Sequence, residues 1–201
     1  MILKDNAALS IRRLTVSGVM AAVASVLLLV EIPMPMLAPF LKLDFSEVPV
    51  MLSGLLLGRG AGVMVALMKQ ILHLMFHGSA TMGVGEVANM TGSLVYLLTA
   101  LAVFQAGRTK KSAFGGLTAG TLSVSLAMVA LNCYVILPIY ARLMGFSLNA
   151  MIKAVHAVNP SVSDVPTFLL FSLFPFNLVK YGLTSLFVFL LYVRLRKHFE
   201  G

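Results

Sequence analysis

Long apolar runs fill almost the whole chain, and they restrict it to one class of protein. Only 11% of the 201 residues are charged, against roughly 25% in soluble domains, which excludes a cytosolic enzyme. A membrane-spanning helix needs roughly 20 apolar residues. The sequence therefore predicts an all-α membrane protein, a single integral membrane domain (residues 1–201) with six transmembrane helices at about 14–31, 46–58, 61–77, 85–106, 113–141 and 166–195.

The basic residues predict how these helices are oriented. With the N-terminus inside, the outer loops hold only three basic residues, Lys42, Arg142 and Lys153. The inner segments hold ten: Lys4, Arg12, Arg13, Arg59, Arg108, Lys110, Lys111, Arg194, Arg196 and Lys197. This bias places both termini in the cytoplasm. Basic residues at the ends of apolar runs, rather than on one patch, also argue against nucleic acid as a partner.

A short second helix and an apolar first outer loop predict a pocket that opens to the outside. Residues 46–58 cover only about 20 Å of a hydrocarbon core about 30 Å thick. The loop at 32–45 is apolar and rich in proline, and irregular backbone at membrane depth must be buried in protein or line a cavity. The loop is thus expected to form a wall or lid, the alternative being an interfacial loop without a pocket.

Three polar side chains share one face of the third helix. Lys69, His73 and His77 recur every four residues, and a charge as deep as Lys69 is functional by default. The histidine spacing also fits a metal pair, for which Glu86 or His156 could add a ligand. A buried, hydrogen-bonded polar ladder is the favoured interpretation over a metal site.

Further polar side chains lie near the outer ends of later helices. Glu86 and Asn89 follow a glycine-containing turn, and Asn132 lies within an apolar run. Asn177 and Lys180 are three residues apart and face the same way. Pro175, just before them, removes a helix hydrogen bond and frees a carbonyl one turn back. An amide and an ammonium on one face suit a neutral, hydroxyl-rich ligand better than a metal. The alternative is that these side chains form hydrogen bonds between helices.

A stripe of small residues marks the first helix. It comprises Ser17, Ala21 and Ser25, with Gly18 and Ala22 beside them. Such stripes let another helix approach closely in lipid. The stripe could pack within this chain or dock another membrane subunit, and the sequence leaves both open. The chain has no G-x-x-x-x-G-K-[ST] motif. If it moves a solute uphill, the energy must therefore come from a partner or an ion gradient.

Four motifs give the chain a resemblance to a known family. They are Lys42 to Pro49 (KLDFSEVP), Gly83 to Glu86 (GVGE) with Asn89, Asn132 with Pro138 and Tyr140, and Pro175 to Lys180 (PFNLVK). Because the four motifs occur in this order, the chain resembles the riboflavin-type substrate-binding (S) components of energy-coupling factor (ECF) vitamin transporters. The resemblance implies the S-component fold and a ligand pocket capped by the first outer loop.

The resemblance also implies which residues bind riboflavin. Asn132, Asn177 and Lys180 should hold the ribityl hydroxyls or the polar edge of the ring. The residues expected to cover the ring or line its walls are Leu41, Leu43, Asp44, Phe45, Met82, Gly83, Val84, Gly85, Glu86, Asn89, Tyr140 and Phe176. No metal and no catalytic residue is expected, and whether FMN also binds stays open.

The implied partners follow from the same resemblance. A transmembrane coupling subunit (EcfT type) would meet the small residues Ser17, Gly18, Ala21, Ala22 and Ser25, and two cytosolic ABC ATPases would hydrolyse ATP. The chain itself would be a multi-pass protein of a prokaryotic plasma membrane without enzymatic activity. The alternatives are an intramembrane metalloenzyme using His73, His77 and Glu86, an S component for another vitamin, or a channel or structural membrane protein that binds no small ligand tightly.

Overall fold

The computed structural model is a bundle of helices with one small hairpin. It describes residues 2–38, 41–79, 81–143, 145 and 147–199. The elements in chain order are α1 (Ile2–Leu29), β1 (Ile32–Pro33), β2 (Lys42–Leu43), α2 (Glu47–Leu57), α3 (Arg59–His77), α4 (Val84–Gln105), α5 (Lys110–Leu131), a π-helical segment (Asn132–Ile136), α6 (Leu137–Leu143), α7 (Leu148–His156), α8 (Val165–Phe168), a second π-helical segment (Leu169–Leu173) and α9 (Phe174–Phe199).

The long helices lie where the apolar runs predict them. Within the described residues, five helical stretches are long and apolar enough to cross a membrane: Ile11–Leu29, Arg59–His77, Val84–Gln105, Lys110–Arg142 and Val165–Arg196. The second predicted helix is α2, whose 11 residues reach only about 16 Å at 1.5 Å per residue. It is shorter than a membrane span, as the sequence indicated.

In the core of the bundle, small residues at the helix crossings allow the helices to approach closely. α4 packs along α5, α5 packs against α9, and α1 and α2 pack against α3. A Cβ added at Gly116 of α5 would lie 2.4 Å from the Ala100 carbonyl oxygen of α4. Glycine is therefore required at this crossing because the two backbones approach too closely for a side chain.

One helix, α7, was not predicted by the sequence. The stretch between residues 142 and 165 was expected to be an outer loop, yet Leu148–His156 is helical, and the Ser147 side chain caps it by accepting from the Ala150 amide at 3.2 Å. Met151, Ile152 and Val155 are buried in a second apolar cluster that includes Ala38 of the first loop and Phe168. α7 thus packs beside the first outer loop.

Most of the small-residue stripe of α1 packs against other helices of the same chain. Ser17, Ala21 and Ser25 are buried, and the Ser25 hydroxyl donates to the Lys69 carbonyl of α3 at 3.0 Å. Of the five residues expected to dock a partner, these three pack within this chain instead, because their small side chains let α1 lie close to α3. Gly18 is half-buried and Ala22 is exposed.

Candidate ligand-binding site

A cavity of about 590 Å³ lies at one end of the helix bundle. Its lining comes from the last turns of α1 and α3, the first turns of α4, the segment after α5, and the first half of α9. This volume is in the usual range for a small-molecule site, roughly 300–1,000 Å³. The predicted topology places these helix ends on the outer side of the membrane.

The structure brings most of the predicted ligand-binding residues to this cavity. Those lining it are Leu41, Asp44, Gly85, Glu86, Asn89, Asn132, Tyr140, Phe176, Asn177 and Lys180. The chain segments that carry them are far apart in sequence, from the first loop to α9. The outer-end clusters predicted separately therefore belong to one site.

Five predicted residues lie outside the lining. Leu43 is buried within β2, and Phe45 packs edge-to-face on Phe187 with ring centroids 5.2 Å apart. Gly83 takes the left-handed conformation that precedes α4, with φ of 87°, followed by Val84. Met82 is 73% exposed. None of these last three lines the cavity, and their role in covering a ligand stays a prediction.

The first outer loop is a small antiparallel hairpin beside the cavity. Ile32 pairs with Leu43 and Pro33 pairs with Lys42. Leu41, Lys42 and Asp44 then line the cavity, while Ala38 is buried in the cluster that includes α7. Pro39 and Phe40 lie outside the described residues. The hairpin is the wall that the apolar, proline-rich sequence predicts.

Asp44 and Lys180 form a buried ion pair in the cavity wall. Lys180 Nζ donates to Asp44 Oδ2 at 2.7 Å, and both side chains are buried. The same carboxylate accepts from the backbone amide of Ser46 at 3.0 Å and from the Ser46 hydroxyl. This pair ties the first loop to α9, and it presents a charged group to whatever occupies the cavity.

The environment of Asp44 holds its carboxyl in the ionised form. Burial alone would raise its pKa, but the ammonium groups of Lys180 and Lys69 outweigh burial and lower the pKa to about 2 from 3.8. Because the folded-state pKa is the lower one, this ionisation stabilises the fold fully above pH about 4, and the stabilisation is lost as the pH falls toward 2.

The Asp44→Asn variant should therefore lose the same stability at every pH from 8 to 5. We expect the difference between the thermal unfolding midpoints of wild type and this variant in detergent to stay constant over that range. A difference that shrinks steadily between pH 7 and pH 5 would mean that the Asp44 carboxyl titrates there, in conflict with its lowered pKa.

A second buried ion pair lies deeper, between α2, α3 and α4. Lys69 Nζ lies 2.6 Å from Glu47 Oε1, and both side chains are fully buried. Lys69 also donates to Ser46 Oγ at 3.2 Å and Ser93 Oγ at 3.1 Å. Through Ser46, which contacts Asp44, this pair joins the Asp44–Lys180 pair in one network. Lys69 thus has a buried acidic partner, which the sequence analysis did not identify.

The amide nitrogen of each predicted asparagine donates a hydrogen bond to a backbone carbonyl of its own helix. Asn132 Nδ2 donates to the Met128 carbonyl at 2.8 Å, and Asn177 Nδ2 donates to the Leu173 carbonyl at 2.8 Å. Asn132 begins the first π-helical segment, and Leu173 ends the second. π-helical turns often occur at functional sites. Each asparagine keeps its carbonyl oxygen and one N–H for other partners.

The backbone carbonyl that Pro175 leaves without a helical donor accepts a hydrogen bond from another side chain. Pro175 has no N–H, so the Phe171 carbonyl four residues earlier loses its helical donor. Asn159 Nδ2 donates to that oxygen at 3.2 Å. The connection after α7 is thereby joined to the start of the last helix, next to the cavity.

The turn before α4 is organised around Glu86. Its carboxylate accepts from the Ser79 hydroxyl at 2.9 Å and from the Thr81 hydroxyl at 3.0 Å, while Thr81 Oγ1 accepts from the Gly85 amide at 3.0 Å. These bonds fix the carboxylate in the cavity lining at the positive end of α4.

Several lining residues were absent from the predicted site. They include Gln70, His73, His77, Met128, Met151 and Tyr181. Three of them, Gln70, His73 and His77, could have been predicted. They are three and four positions apart in the sequence and therefore lie on one side of α3, close to Lys69. The apolar members carry no sequence signal that distinguishes them from core.

The two histidines of α3 stand side by side without a metal-binding arrangement. Their ring centroids are 5.3 Å apart, and both line the cavity. In the described ranges, no group of three or more His, Cys, Asp or Glu side chains is placed to hold a metal ion. The metalloenzyme alternative therefore gains no structural support from these residues.

Comparisons with known proteins agree over nearly the full chain. The family model described as "ECF transporter, substrate-specific component" matches residues 12–192. The chain is 33% identical to the riboflavin transporter RibU of Staphylococcus aureus (strain TCH60) over 92% of this chain and 90% of the relative. It is 30% identical to the riboflavin transporter FmnP of Bacillus subtilis (strain 168), covering 96% of each.

A solved structure has the same fold. It is described as "Structure and mechanism of the S component of a bacterial ECF transporter", and its TM-score to this chain is 0.73. The two sequences are 31% identical, and the match covers 96% of this chain and 99% of the other.

Proposed function

The chain belongs to the family of ECF transporter substrate-specific components, and on that premise we propose that it captures riboflavin from outside the cell in the cavity described above. It is a multi-pass protein of the plasma membrane and a transport subunit rather than an enzyme, as its family and relatives indicate. The observation that carries the riboflavin assignment is the cavity, which gathers Asn132, Asn177 and Lys180 in a relative of two riboflavin transporters.

The lining suits the chemistry of riboflavin. A flavin combines a flat, mostly apolar ring that has one polar edge with a flexible chain of hydroxyls. The cavity offers apolar surface from Leu41, Leu173 and Phe176, and few, fixed polar groups, which is the usual design of a small-molecule site. Asn132, Asn177 and Lys180 can each donate to a hydroxyl oxygen, and the two amide oxygens can accept from one.

The membrane arrangement is proposed from the sequence together with the helices. The five long helical stretches and the short α2 make six transmembrane elements, with the hairpin filling the depth that α2 leaves. The excess of basic residues in the predicted inner segments supports both termini in the cytoplasm. In this orientation the cavity opens outward.

The family implies that the chain works with an ECF module. We propose that this module consists of a transmembrane coupling subunit and two cytosolic ATPases, which hydrolyse the ATP. A docking contact on α1 would use its outward positions, Gly18 and Ala22, because Ser17, Ala21 and Ser25 are buried within this chain.

A fluorescence titration of the purified protein tests the proposed ligand. We expect the fluorescence of added riboflavin to be quenched until one flavin is bound per chain. A large excess of thiamin or biotin should not reverse the quenching, and FMN is added as a separate competitor to learn whether a phosphate is accepted. Quenching that thiamin or biotin reverses, or no quenching at all, would contradict the riboflavin assignment.

A further inference from the structure

A groove runs between α5 and α9 on the surface of the bundle, and it shares no lining residue with the ligand cavity. Its volume is about 260 Å³. Leu117 and Thr121 in its lining are buried and form the floor, whereas Phe114, Leu122 and Leu186 are half exposed or more and form the rims. The groove is therefore open to the lipid that surrounds the helices.

A glycine of α9 leaves the groove open. Gly182 is part of the lining, and a Cβ added there would meet nothing within 4 Å. This differs from Gly116 at the crossing of α4 and α5, where the neighbouring backbone excludes a side chain. Helix packing therefore does not require glycine at position 182, and the space above it is free for an occupant.

The polar groups of the groove are already bonded within the protein. The Thr118 hydroxyl donates to the Phe114 carbonyl at 3.0 Å. The hydroxyls of Thr121 and Ser185 are hydrogen-bonded to each other at 2.9 Å. Because each of the three hydroxyls in the lining has a partner, an occupant of the groove needs no polar group there. A hydrocarbon chain meets this requirement.

The length and position of the groove match one leaflet of a membrane. From Phe114 to Leu122 it extends about 12 Å along α5 at 1.5 Å per residue, and Phe114 lies about one turn after Lys110, the first residue of α5. One leaflet contributes about 15 Å of hydrocarbon, half of a core about 30 Å thick. With both termini in the cytoplasm, as proposed above, the groove faces the acyl chains of the inner leaflet.

Two exposed lysines lie at the cytoplasmic end of the groove. Lys110 and Lys111 are four and three positions before Phe114, which places them on the groove side of α5. Among the residues that the structure describes, neither lysine forms a salt bridge. On the other helix, Arg196 is seven positions after Phe189 of the lining and thus on the same side of α9. The apolar groove therefore ends at a basic surface.

The distribution of acidic residues leaves this surface without nearby negative charge in the sequence. Of the seven acidic residues, five belong to the outer loops or the outer half of the bundle: Glu31, Asp44, Glu47, Glu86 and Asp164. The other two, Asp5 and Glu200, are close to the chain ends. A negatively charged group at the cytoplasmic end of the groove would complement the charge of the lysines.

We propose that the groove between α5 and α9 is a binding site for an anionic phospholipid of the inner leaflet. One acyl chain fills the groove over Gly182, and the phosphate of the headgroup lies at Lys110 and Lys111. Basic pockets between transmembrane helices on the cytoplasmic side are suited to such headgroups. The site depends on the proposed orientation in the membrane and not on the identity of the transported ligand.

Quenching of a single tryptophan by brominated lipid tests the site. The chain has no tryptophan, so Leu122→Trp places the only one at the rim of the groove. The variant is reconstituted into phosphatidylcholine vesicles in which a minor fraction of the lipid carries brominated acyl chains, either phosphatidylglycerol or phosphatidylcholine. We expect brominated phosphatidylglycerol to quench more strongly, with at least about fivefold higher affinity, the contribution of one lysine near an anionic headgroup.

A tryptophan on another helix is the matched control. Ile71→Trp lies 12 positions after the first residue of α3, as Leu122→Trp does in α5. Both positions are about half exposed. The two brominated lipids should quench Ile71→Trp within about twofold of each other. Equal quenching of Leu122→Trp by the two lipids would overturn the proposal.

Two changes in the Leu122→Trp background separate the headgroup contact from the acyl-chain contact. Lys110→Gln with Lys111→Gln should reduce the preference for phosphatidylglycerol to less than about twofold. Gly182→Leu, which fills the groove, should also reduce it to the level of Ile71→Trp, although both lysines remain. A preference that persists in Gly182→Leu would show attraction to the helix end without a chain in the groove, and would overturn the site.

A second glycine of α5 controls for the added side chain. A Cβ at Gly115 would make only an ordinary contact with Val103 of α4, at 3.9 Å, and Gly115 does not line the groove. Gly115→Leu should therefore keep the preference for phosphatidylglycerol. The thermal unfolding midpoint of each variant shows that it is folded, and loss of the preference in Gly115→Leu would contradict a site specific to the groove.

Discussion

The Lys69→Met variant should lose about 3–5 kcal/mol of stability, the usual cost of leaving one member of a buried ion pair without its partner. Lys69 and Glu47 are both fully buried and 2.6 Å apart. Without the ammonium, the Glu47 carboxylate stays in the core with the Ser93 hydroxyl as its hydrogen-bond donor. We expect the thermal unfolding midpoint in detergent to fall by roughly 10 °C.

A double variant shows whether the unpaired charge is the cause. Removing both charges, in Lys69→Met with Glu47→Leu, should recover most of the lost stability, since apolar side chains of similar volume often replace a buried pair without loss. Lys111→Met, at an exposed residue of α5, is the matched control and should leave the midpoint unchanged. A Lys69→Met variant as stable as wild type would contradict the ion pair.

The Lys180→Met variant should bind riboflavin about a hundredfold more weakly. Truncating one partner of a buried, hydrogen-bonded charge pair costs roughly 2–5 kcal/mol in a binding site, and about 2.7 kcal/mol is a hundredfold in affinity. Lys180 supplies N–H donors to the cavity, and it neutralises Asp44, whose carboxylate also lines the cavity. Both contributions disappear with the ammonium.

Two further variants separate these contributions. Asp44→Asn combined with Lys180→Met removes the unpaired carboxylate, so it should recover thermal stability but not the affinity that depends on the lysine donors. Lys153→Met, on the exposed face of α7, should bind riboflavin as wild type does. Full affinity in Lys180→Met, measured by fluorescence titration, would show that the ligand lies elsewhere.

The helices could be predicted because lipid imposes one strong rule on the sequence. Each long apolar run became a helix, and the shortness of α2 followed from the length of its run. α7 was missed because its apolar positions, Met151, Ile152 and Val155, are interleaved with polar ones in a segment between two long runs. Its apolar face packs in a cluster with Ala38 of the first loop and with Phe168, and those contacts cannot be read from the local sequence.

The site could be predicted at the level of polar residues in apolar helices, but not at the level of their partners. Lys180 and Asp44 are 136 positions apart, and nothing in either segment specifies the other. Gln70 was not predicted as a site residue, because in the sequence it is simply a polar residue next to Lys69. Only the fold shows that it lines the cavity and that its amide oxygen has no hydrogen-bond partner among the described residues. Ser17 and Ala21 were predicted as docking residues but are buried within the chain. The sequence could not separate the two roles, because small residues allow close packing both within a chain and between chains.

The visible absorption spectrum of the detergent-purified protein, recorded before any ligand is added, tests the central claim most directly. The account predicts flavin absorption close to one flavin per chain, released when the protein is denatured and identified as riboflavin by its chromatographic mobility. A colourless protein that also leaves the fluorescence of added riboflavin unquenched would contradict it.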